Sequence, residues 1–507
     1  MLKRLAAGNI AAMLTMLVNI AAQILVVPIF LHFWSANIYG VWLALVTTMS
    51  LVTLADVTHQ DYIGFESMKL KHNDRLGRSA LISDAIPVIF LTGIVQLLAI
   101  TFIIKFGLLN SIFHINKENK FEIDSVSYSI IYLVILWVSY QNFSGILVRV
   151  LASLGYFATG AWWGLLNAVV VAVGPAIAAA SGAGLVGAAL VQVAATVIVN
   201  TFIYMHYYKI LKIEGIVLTK PNLQSGLKRY LHSLILTSAN IIEFLQQAGF
   251  RLIILPLIGT QRLVQFSTHR TIANVAQQGI STLINPTVPE LMRFIVEKNS
   301  EKVSAVMFGM SYVTIVLICP GFVFLQLIVE YIFKMWTMGK VEFDPIAFAS
   351  ISGAVMILCL SQPSRAIIRG NNLVTSQALV SAIVGILLII LSFCLVRQYG
   401  VRGATYVLLV AETIRSALNI SIATIWLKRA RIQISSRITL ISSILVLVTI
   451  LSVFIMGYDR DIKFTTFFAY FIIWGLLNIA MWKAAPSGVR EVVLNLFRKN
   501  RPKSVSI

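Results

Sequence analysis

Charge is what this sequence has least of. Only 12% of its 507 residues are Asp, Glu, Lys or Arg, about half the share of a soluble globular protein. That excludes a water-facing surface over most of the chain, although its length would suit about three soluble domains. Acidic residues are the scarcer sign, 20 against 40 Lys and Arg, for a net charge of +20. Cysteine is nearly absent: Cys319, Cys359 and Cys394 stand alone in apolar runs. An odd count without C-x-x-C spacing argues against a disulfide framework and a zinc site, and reads as three small buried hydrophobes. No G-x-x-x-x-G-K-[ST] loop is present, so ATP hydrolysis would need a separate subunit. Metal-ligand clusters and a nucleophile elbow are missing too, so neither an enzyme nor a resident cofactor is expected. The basic residues are spread over many short segments instead of one patch, which argues against nucleic acid as a partner.

Apolar residues fill the space left by the charges. They make up 58% of the chain, which excludes disorder and makes a bilayer its solvent. A hydrocarbon core of about 30 Å needs roughly 20 apolar residues per helix. Fourteen such runs occur, at 9–32, 37–59, 80–106, 126–150, 156–181, 183–207, 231–258, 263–289, 304–333, 345–368, 374–397, 402–427, 438–457 and 464–483. The expected fold is an all-α polytopic membrane protein. The first run continues to about Phe33 without a cleavage site, so it reads as a span and not as a signal peptide. The second and eighth are the least apolar, and their polar residues follow a helical period.

Placing the N-terminus in the cytoplasm puts the basic loops on the inner side. These include Lys69, Lys71, Arg75 and Arg78, then Lys209, Lys212, Lys220, Lys228 and Arg229, and later Lys428, Arg429, Arg431 and Arg437. Cytoplasmic loops are the Lys/Arg-rich ones. Both termini are then cytoplasmic, and most of the net charge is a topology signal. The organisation expected is a six-helix lobe (1–207), a cytoplasmic linker (208–230), a second six-helix lobe (231–427), two additional helices (428–483) and a basic tail (484–507). The two blocks open alike, each with a proline-ended span, a short outer turn and a polar-decorated span, as in transporters built from paired halves. In the tail, Val489, Val492, Val493, Leu496 and Phe497 share one face. It reads either as an interfacial helix on anionic headgroups or as a solvated basic tail.

Polar side chains at bilayer depth are costly and usually face a bundle interior or a wet cavity. In the seventh span Asn240, Glu243, Gln247 and Arg251 recur at steps of 3, 4 and 4, which is one helical stripe. The eighth repeats the pattern with Arg270, Asn274, Gln277, Gln278 and Ser281. Arg251 and Arg270 lie at matched depth, about 10 Å below the outer surface at 1.5 Å per residue. Two guanidiniums so placed suit a phosphate or pyrophosphate clamp; the other reading is internal pairing with Glu243. Glu412, Arg415 and Asn419 share a face of the twelfth span, and Glu412 and Arg415 are spaced to pair. Their depth makes them equally candidates for substrate or proton coupling. In the second span Thr53, Asp56 and Gln60 share a face near the inner end, fitting either a gating role or an interface position. His59 and His269 read as hydrogen-bonded packing residues, and Gly160 with Gly164 as small-residue helix packing.

The stretch Val27–Glu66, VPIFLHFWSANIYGVWLALVTTMSLVTLADVTHQDYIGFE, resembles the opening of Wzx-type polysaccharide flippases. These belong to the multidrug/oligosaccharidyl-lipid/polysaccharide (MOP) superfamily, with the multidrug extruders and the lipid II flippase. The matching elements are the proline closing the first span, Tyr39-Gly40-Val41-Trp42, and the Leu-Ala-Asp56 segment. The glycine of a D-x-G pattern is absent, since Asp56 is followed by Val57-Thr58. A second match is Ile284-Asn285-Pro286-Thr287-Val288-Pro289-Glu290-Leu291. The resemblance implies two six-helix lobes around a central cavity plus two C-terminal helices. It further implies alternating access and an undecaprenyl-pyrophosphate-linked oligosaccharide as substrate. Substrate contacts would then come from Arg251, Arg270, Asn240, Gln247, Asn274, Gln277, Gln278 and Arg415. Glu243, Glu412 or Asp56 would serve ion coupling or gating, driven by a proton or sodium gradient. Membrane lipids, a polysaccharide polymerase and a chain-length regulator are the partners implied, and the bacterial inner membrane the location. A multidrug cation antiporter of the same superfamily, and a membrane glycosyltransferase or polymerase, are the alternatives.

Overall fold

Inside a bilayer every backbone N–H and C=O must be satisfied within the segment, so long apolar runs fold as helices. The computed structural model describes residues 2–71, 73–113, 120–284, 287–371, 373–432, 436–459, 461–486 and 489–490. No strand occurs among them, and the chain is an all-α polytopic membrane protein. Contact clustering divides it into two units, Met1–Val264 with Trp336–Val341, and Gln265–Met335 with Glu342–Ile507.

The first unit holds α1 (Leu2–Phe33), α2 (Ala36–Val52), α3 (Leu54–Lys69), α4 (Arg75–Lys105), α5 (Leu108–Phe113), α6 (Lys120–Leu136), α7 (Asn142–Leu151), α8 (Phe157–Ala180), α9 (Leu185–Glu214) and α10 (Leu223–Gln247). It also holds the start of α11 (Phe250–Ile284). Within it α1 packs on α8, α8 and α6 on α9, and α3 on α7 and α10. Its core gathers Ile63, Ile82, Ile146, Leu151 and Tyr207. Trp336 donates its indole N–H to the Ile24 carbonyl at 2.6 Å, and Lys340 reaches the carbonyl of Leu31, which pins the segment 336–341 to α1.

The second unit contains the remainder of α11, then α12 (Val288–Val296), α13 (Ser300–Trp336) up to Met335, α14 (Pro345–Gly370), α15 (Val374–Leu391), α16 (Arg397–Arg429), α17 (Ser436–Tyr458) and α18 (Lys463–Lys483). Here α14 is central, packed by α16 on one side and α17 on another, with α18 against α17. It is the most buried long helix described, and Phe348, Met356 and Ile367 sit in the core of this unit.

Among the described residues nine helical stretches are long and apolar enough to cross a membrane, and the bent pair α2–α3 makes ten. This is fewer than the fourteen runs expected from the sequence, in part because two of the nine stretches are long and kinked. The stretch Glu122–Ala180 turns at Gly155, φ 98°, and Thr375–Arg429 at Gly400, φ 56°. A Cβ is strained at such angles, so glycine lets two spans follow one another through an almost unbroken helix. The more polar α10 and α11, expected to supply the seventh and eighth spans, are not among the nine. Phe90, Leu98, Ile198, Ile386, Leu447 and Phe468 are exposed on helix exteriors, the mark of a surface meeting lipid and not water.

Several details depart from the expectations. The connector between α9 and α10 is short, 215–222, because helix extends well into the expected 208–230 linker. It is pinned to α4: the Asn222 N–H donates to Asp84 Oδ1, Arg229 pairs with Asp84 Oδ2 at 2.8 Å, and the Thr219 N–H donates to Ser83 Oγ. Cys319 and Cys359 are buried, but Cys394 is exposed on the π-helical turn Ser392–Val396. Gly160 does make a close contact, since a Cβ there would lie 3.0 Å from Val148 Cγ1, whereas a Cβ on Gly164 would meet nothing. Gly164 is therefore not a packing glycine. Most of the basic tail, 491–507, and Asn285-Pro286 lie outside the described residues.

Candidate functional site

In the first unit the polar residues converge on α3. Helices α2 and α3 bend by 43° at Thr53, which presents Asp56, Thr58, His59 and Gln60 to the interior, each about 2% exposed. Asp56 Oδ2 accepts from Gln96 Nε2 at 2.7 Å and from Trp137 Nε1 at 2.8 Å. Gln60 Nε2 donates to Asn142 Oδ1 at 2.9 Å, and Gln60 Oε1 accepts from Arg149, which also pairs with Asp61. Trp137 opens a π-helical turn, Trp137–Gln141, and Asn142 follows it; such turns often carry functional side chains. His59 Nδ1 lies 3.2 Å from Ser233 Oγ, and Asn240 Nδ2 donates to Thr58 Oγ1 at 3.1 Å. Helix α10 thus contributes to the same network.

The polar stripe expected over 240–251 is broken. Helix α10 ends at Gln247, and Ala248–Gly249 forms a tight turn closed by an Arg251 N–H to Ala248 carbonyl bond. Arg251 accordingly opens α11 and does not extend the face of Asn240. Its guanidinium is within electrostatic reach of the Tyr39 hydroxyl. Tyr39 itself stacks on Phe30 in an aromatic cluster with Trp34 and Trp42. Gly40, from the Tyr-Gly-Val-Trp motif, is required for close approach: a Cβ there would collide with the Thr260 carbonyl. The side chains of Glu243 and Gln247 lie outside the described set, and Arg251 and Arg270 belong to different units.

In the second unit α11 is unbroken from Gln265 to Ile284, so Arg270, Asn274, Gln277 and Gln278 keep their common face. All four are half-buried, and Arg270 lies 6.0 Å from the Phe266 ring. A separate cluster joins α14 to α16. Glu412 Oε2 is 3.4 Å from Arg415, and Glu412 Oε1 is 4.0 Å from Arg365, with all three side chains between 12% and 16% exposed. His269 is fully buried; its Nδ1–H donates to the Gln265 carbonyl at 2.7 Å and its Nε2 accepts from the Asp344 N–H at 3.1 Å. With Phe343 stacked on its ring, it is a neutral packing residue. Outside the spans, hydrogen bonding to Glu297 and the nearby Glu290 raise the Arg293 guanidinium above its usual pKa.

Sequence reasoning missed Gln96, Trp137, Asn142, Arg149 and Arg365. Gln96 stands in a largely apolar run, whereas Asn142 follows Gln141 and Arg365 follows Ser361, Gln362 and Ser364, so what the sequence lacked was the partner on a neighbouring helix and not the polarity. Arg149 and Arg365 lie within three residues of the ends of the runs 126–150 and 345–368, so depth did not mark them. No group of three or more metal-ligating side chains occurs among the described residues.

No protein-family model and no curated protein sequence matches the chain. Solved structures do match. An inward-facing multidrug-resistance MATE family transporter of the MOP superfamily aligns with a TM-score of 0.61 at 12% identity, over 82% of this chain and 95% of that one. The chain has the fold of MOP-superfamily transporters. A lipid II flippase, MurJ, in an inward closed conformation gives 0.60 at 12% identity over 94% and 99% of the two chains. A MOP-superfamily transporter from Pyrococcus furiosus gives 0.54 at 14% identity over 85% and 96%. Identities this low show the MOP fold, and fold does not fix substrate.

Proposed function

We propose that the chain flips polyprenyl-pyrophosphate-linked oligosaccharide repeat units, O-antigen or a related polysaccharide, across the bacterial inner membrane by alternating access. The observation carrying this reading is how the charges within and beside the spans are disposed. Asp56, Asp61 and Glu412 are each engaged by donors of their own unit, namely Gln96 with Trp137, Arg149, and Arg415 with Arg365. The α11 face adds one cation and three amides, half-buried, the donor types that suit a pyrophosphate and sugar hydroxyls. A multidrug cation antiporter of the same fold needs carboxylates left over for its cargo, and among the described side chains these three are already in use. A membrane glycosyltransferase or polymerase needs a sizeable outer loop, for which the sequence has no room. The lipid II flippase among the similar structures supports a lipid-linked cargo.

In this reading Arg270, Asn274, Gln277 and Gln278 contact the cargo, with Arg251, Asn240, Gln247 and Arg415 as further contacts. Asp56, Glu412 and Glu243 serve coupling to a proton or sodium gradient, and the termini face the cytoplasm. A polymerase and a chain-length regulator act on the product. The test is translocation of a fluorescent polyprenyl-pyrophosphate oligosaccharide by the protein reconstituted in liposomes. Arg270→Ala should slow it roughly tenfold or more, as expected for losing hydrogen bonds to a charged group at about 1.5–3 kcal/mol. Transport of a cationic dye with no movement of the lipid-linked sugar would overturn the proposal.

A further inference from the structure

The second unit contains a cavity of about 1170 Å³ bounded by α13, α14, α16 and the start of α17. About half of its lining residues are apolar, among them Met307, Phe308, Leu360, Ile420, Leu427 and Ile438, and the rest are serines, threonines and cations. Three cations, Lys428, Arg431 and Arg437, line it at the basic end of α16 and are exposed, and no carboxylate occurs among its lining residues. A further observation points to a ligand. Ser442 lines the cavity at 1% exposure, and its Oγ has no hydrogen-bond partner among the described residues. Arg431 holds φ 59° at the end of α16, where the Ile432 N–H closes back on the Leu427 carbonyl. That left-handed position favours glycine or asparagine, so an arginine keeps its charge there against backbone preference.

We propose that this cavity binds an anionic phospholipid, with the headgroup phosphate held by Lys428, Arg431 and Arg437 and an ester or glycerol oxygen meeting Ser442. Basic pockets between transmembrane helices are suited to anionic headgroups. The acyl chains have a ready path: Leu440 lines the cavity, and Leu440, Ile444, Leu447, Leu451 and Ile455 form an exposed stripe down α17. The site is independent of the cargo reading, and its test needs no transport activity.

The test is lipid retention on the full chain by native mass spectrometry, from micelles of equal phosphatidylglycerol and phosphatidylcholine. Wild type should retain phosphatidylglycerol selectively. Lys428→Gln, Arg431→Gln and Arg437→Gln together should lower that retention tenfold or more, at about fivefold per cation. Lys209→Gln with Lys212→Gln, basic residues at the end of α9, should leave it unchanged. Arg431→Gly separates binding from folding: the turn accepts glycine, so thermal stability should hold or rise while phosphatidylglycerol retention falls about fivefold. Equal retention of both lipids, or full retention by a folded triple variant, overturns the proposal. So does displacement by millimolar inorganic phosphate, which would mean a bare anion site, or by a polyprenyl pyrophosphate, which would assign the cavity to the cargo.

Discussion

Glu412 illustrates how a single carboxylate organises its neighbourhood. It holds Arg415 on its own helix and Arg365 on α14, and all three side chains are largely withdrawn from solvent. Burying such charges is repaid only by their mutual pairing. Glu412→Ala should therefore cost about 3–5 kcal/mol, read as a lowered thermal midpoint in detergent. Replacing Glu412, Arg365 and Arg415 together with leucine or methionine should recover most of that loss. A triple variant as unstable as Glu412→Ala would mean that the cluster is not held by pairing. Gly40 offers a steric counterpart. Because a Cβ would collide with the Thr260 carbonyl, Gly40→Val should overpack α2 by about 1–3 kcal/mol, again seen in the thermal midpoint. The Glu412–Arg415 contact was legible from i, i+3 spacing, since one helix fixes it. Arg365 was not, because its meeting with Glu412 depends on how α14 packs against α16.

At the scale of elements, glycine more than proline decides where helices turn. Pro28, Pro87, Pro175, Pro256, Pro320 and Pro363 all lie inside helices, which membrane segments tolerate because neighbours re-satisfy the freed groups. Gly155 and Gly400 carry the abrupt turns. Gly400→Ala should cost about 1–3 kcal/mol for forcing a Cβ into a region reserved for glycine. Gly164→Ala, inside α8 with open space around its Cβ, should be neutral or stabilising by up to about 1 kcal/mol. Equal thermal midpoints for the two variants would refute this division. The same contrast explains which parts of the fold could be read in advance. Span positions were legible because a run of some twenty apolar residues sums many weak preferences into one signal. The break at Ala248–Gly249 was not, since the stripe through Asn240, Glu243, Gln247 and Arg251 keeps a helical period across it. Periodicity records which face residues would share on an ideal helix, and a tight turn can preserve that count while changing the axis.

For the whole molecule the excess of positive charge bears on orientation more than on ligand. Lys and Arg concentrate in alternate connections, including the end of α9 and the α16–α17 junction, while the turn between α17 and α18 carries Asp459 and Asp461. The asymmetry predicts that Lys212 faces the cytoplasm and Asp461 the opposite side. In a background with Cys319, Cys359 and Cys394 replaced by alanine or serine, a single cysteine at Asp461 should react with a membrane-impermeant maleimide on intact spheroplasts. One at Lys212 should react only after permeabilisation. Because α17 and α18 lie between the α16–α17 junction and the tail, this pair also reports on the cavity lined by Lys428, Arg431 and Arg437. The predicted pattern puts those cations against the cytoplasmic leaflet, whose anionic lipids attract basic juxtamembrane residues. The reverse pattern would turn them outward, contradict the charge asymmetry, and require the cargo to be captured from the other face of the membrane.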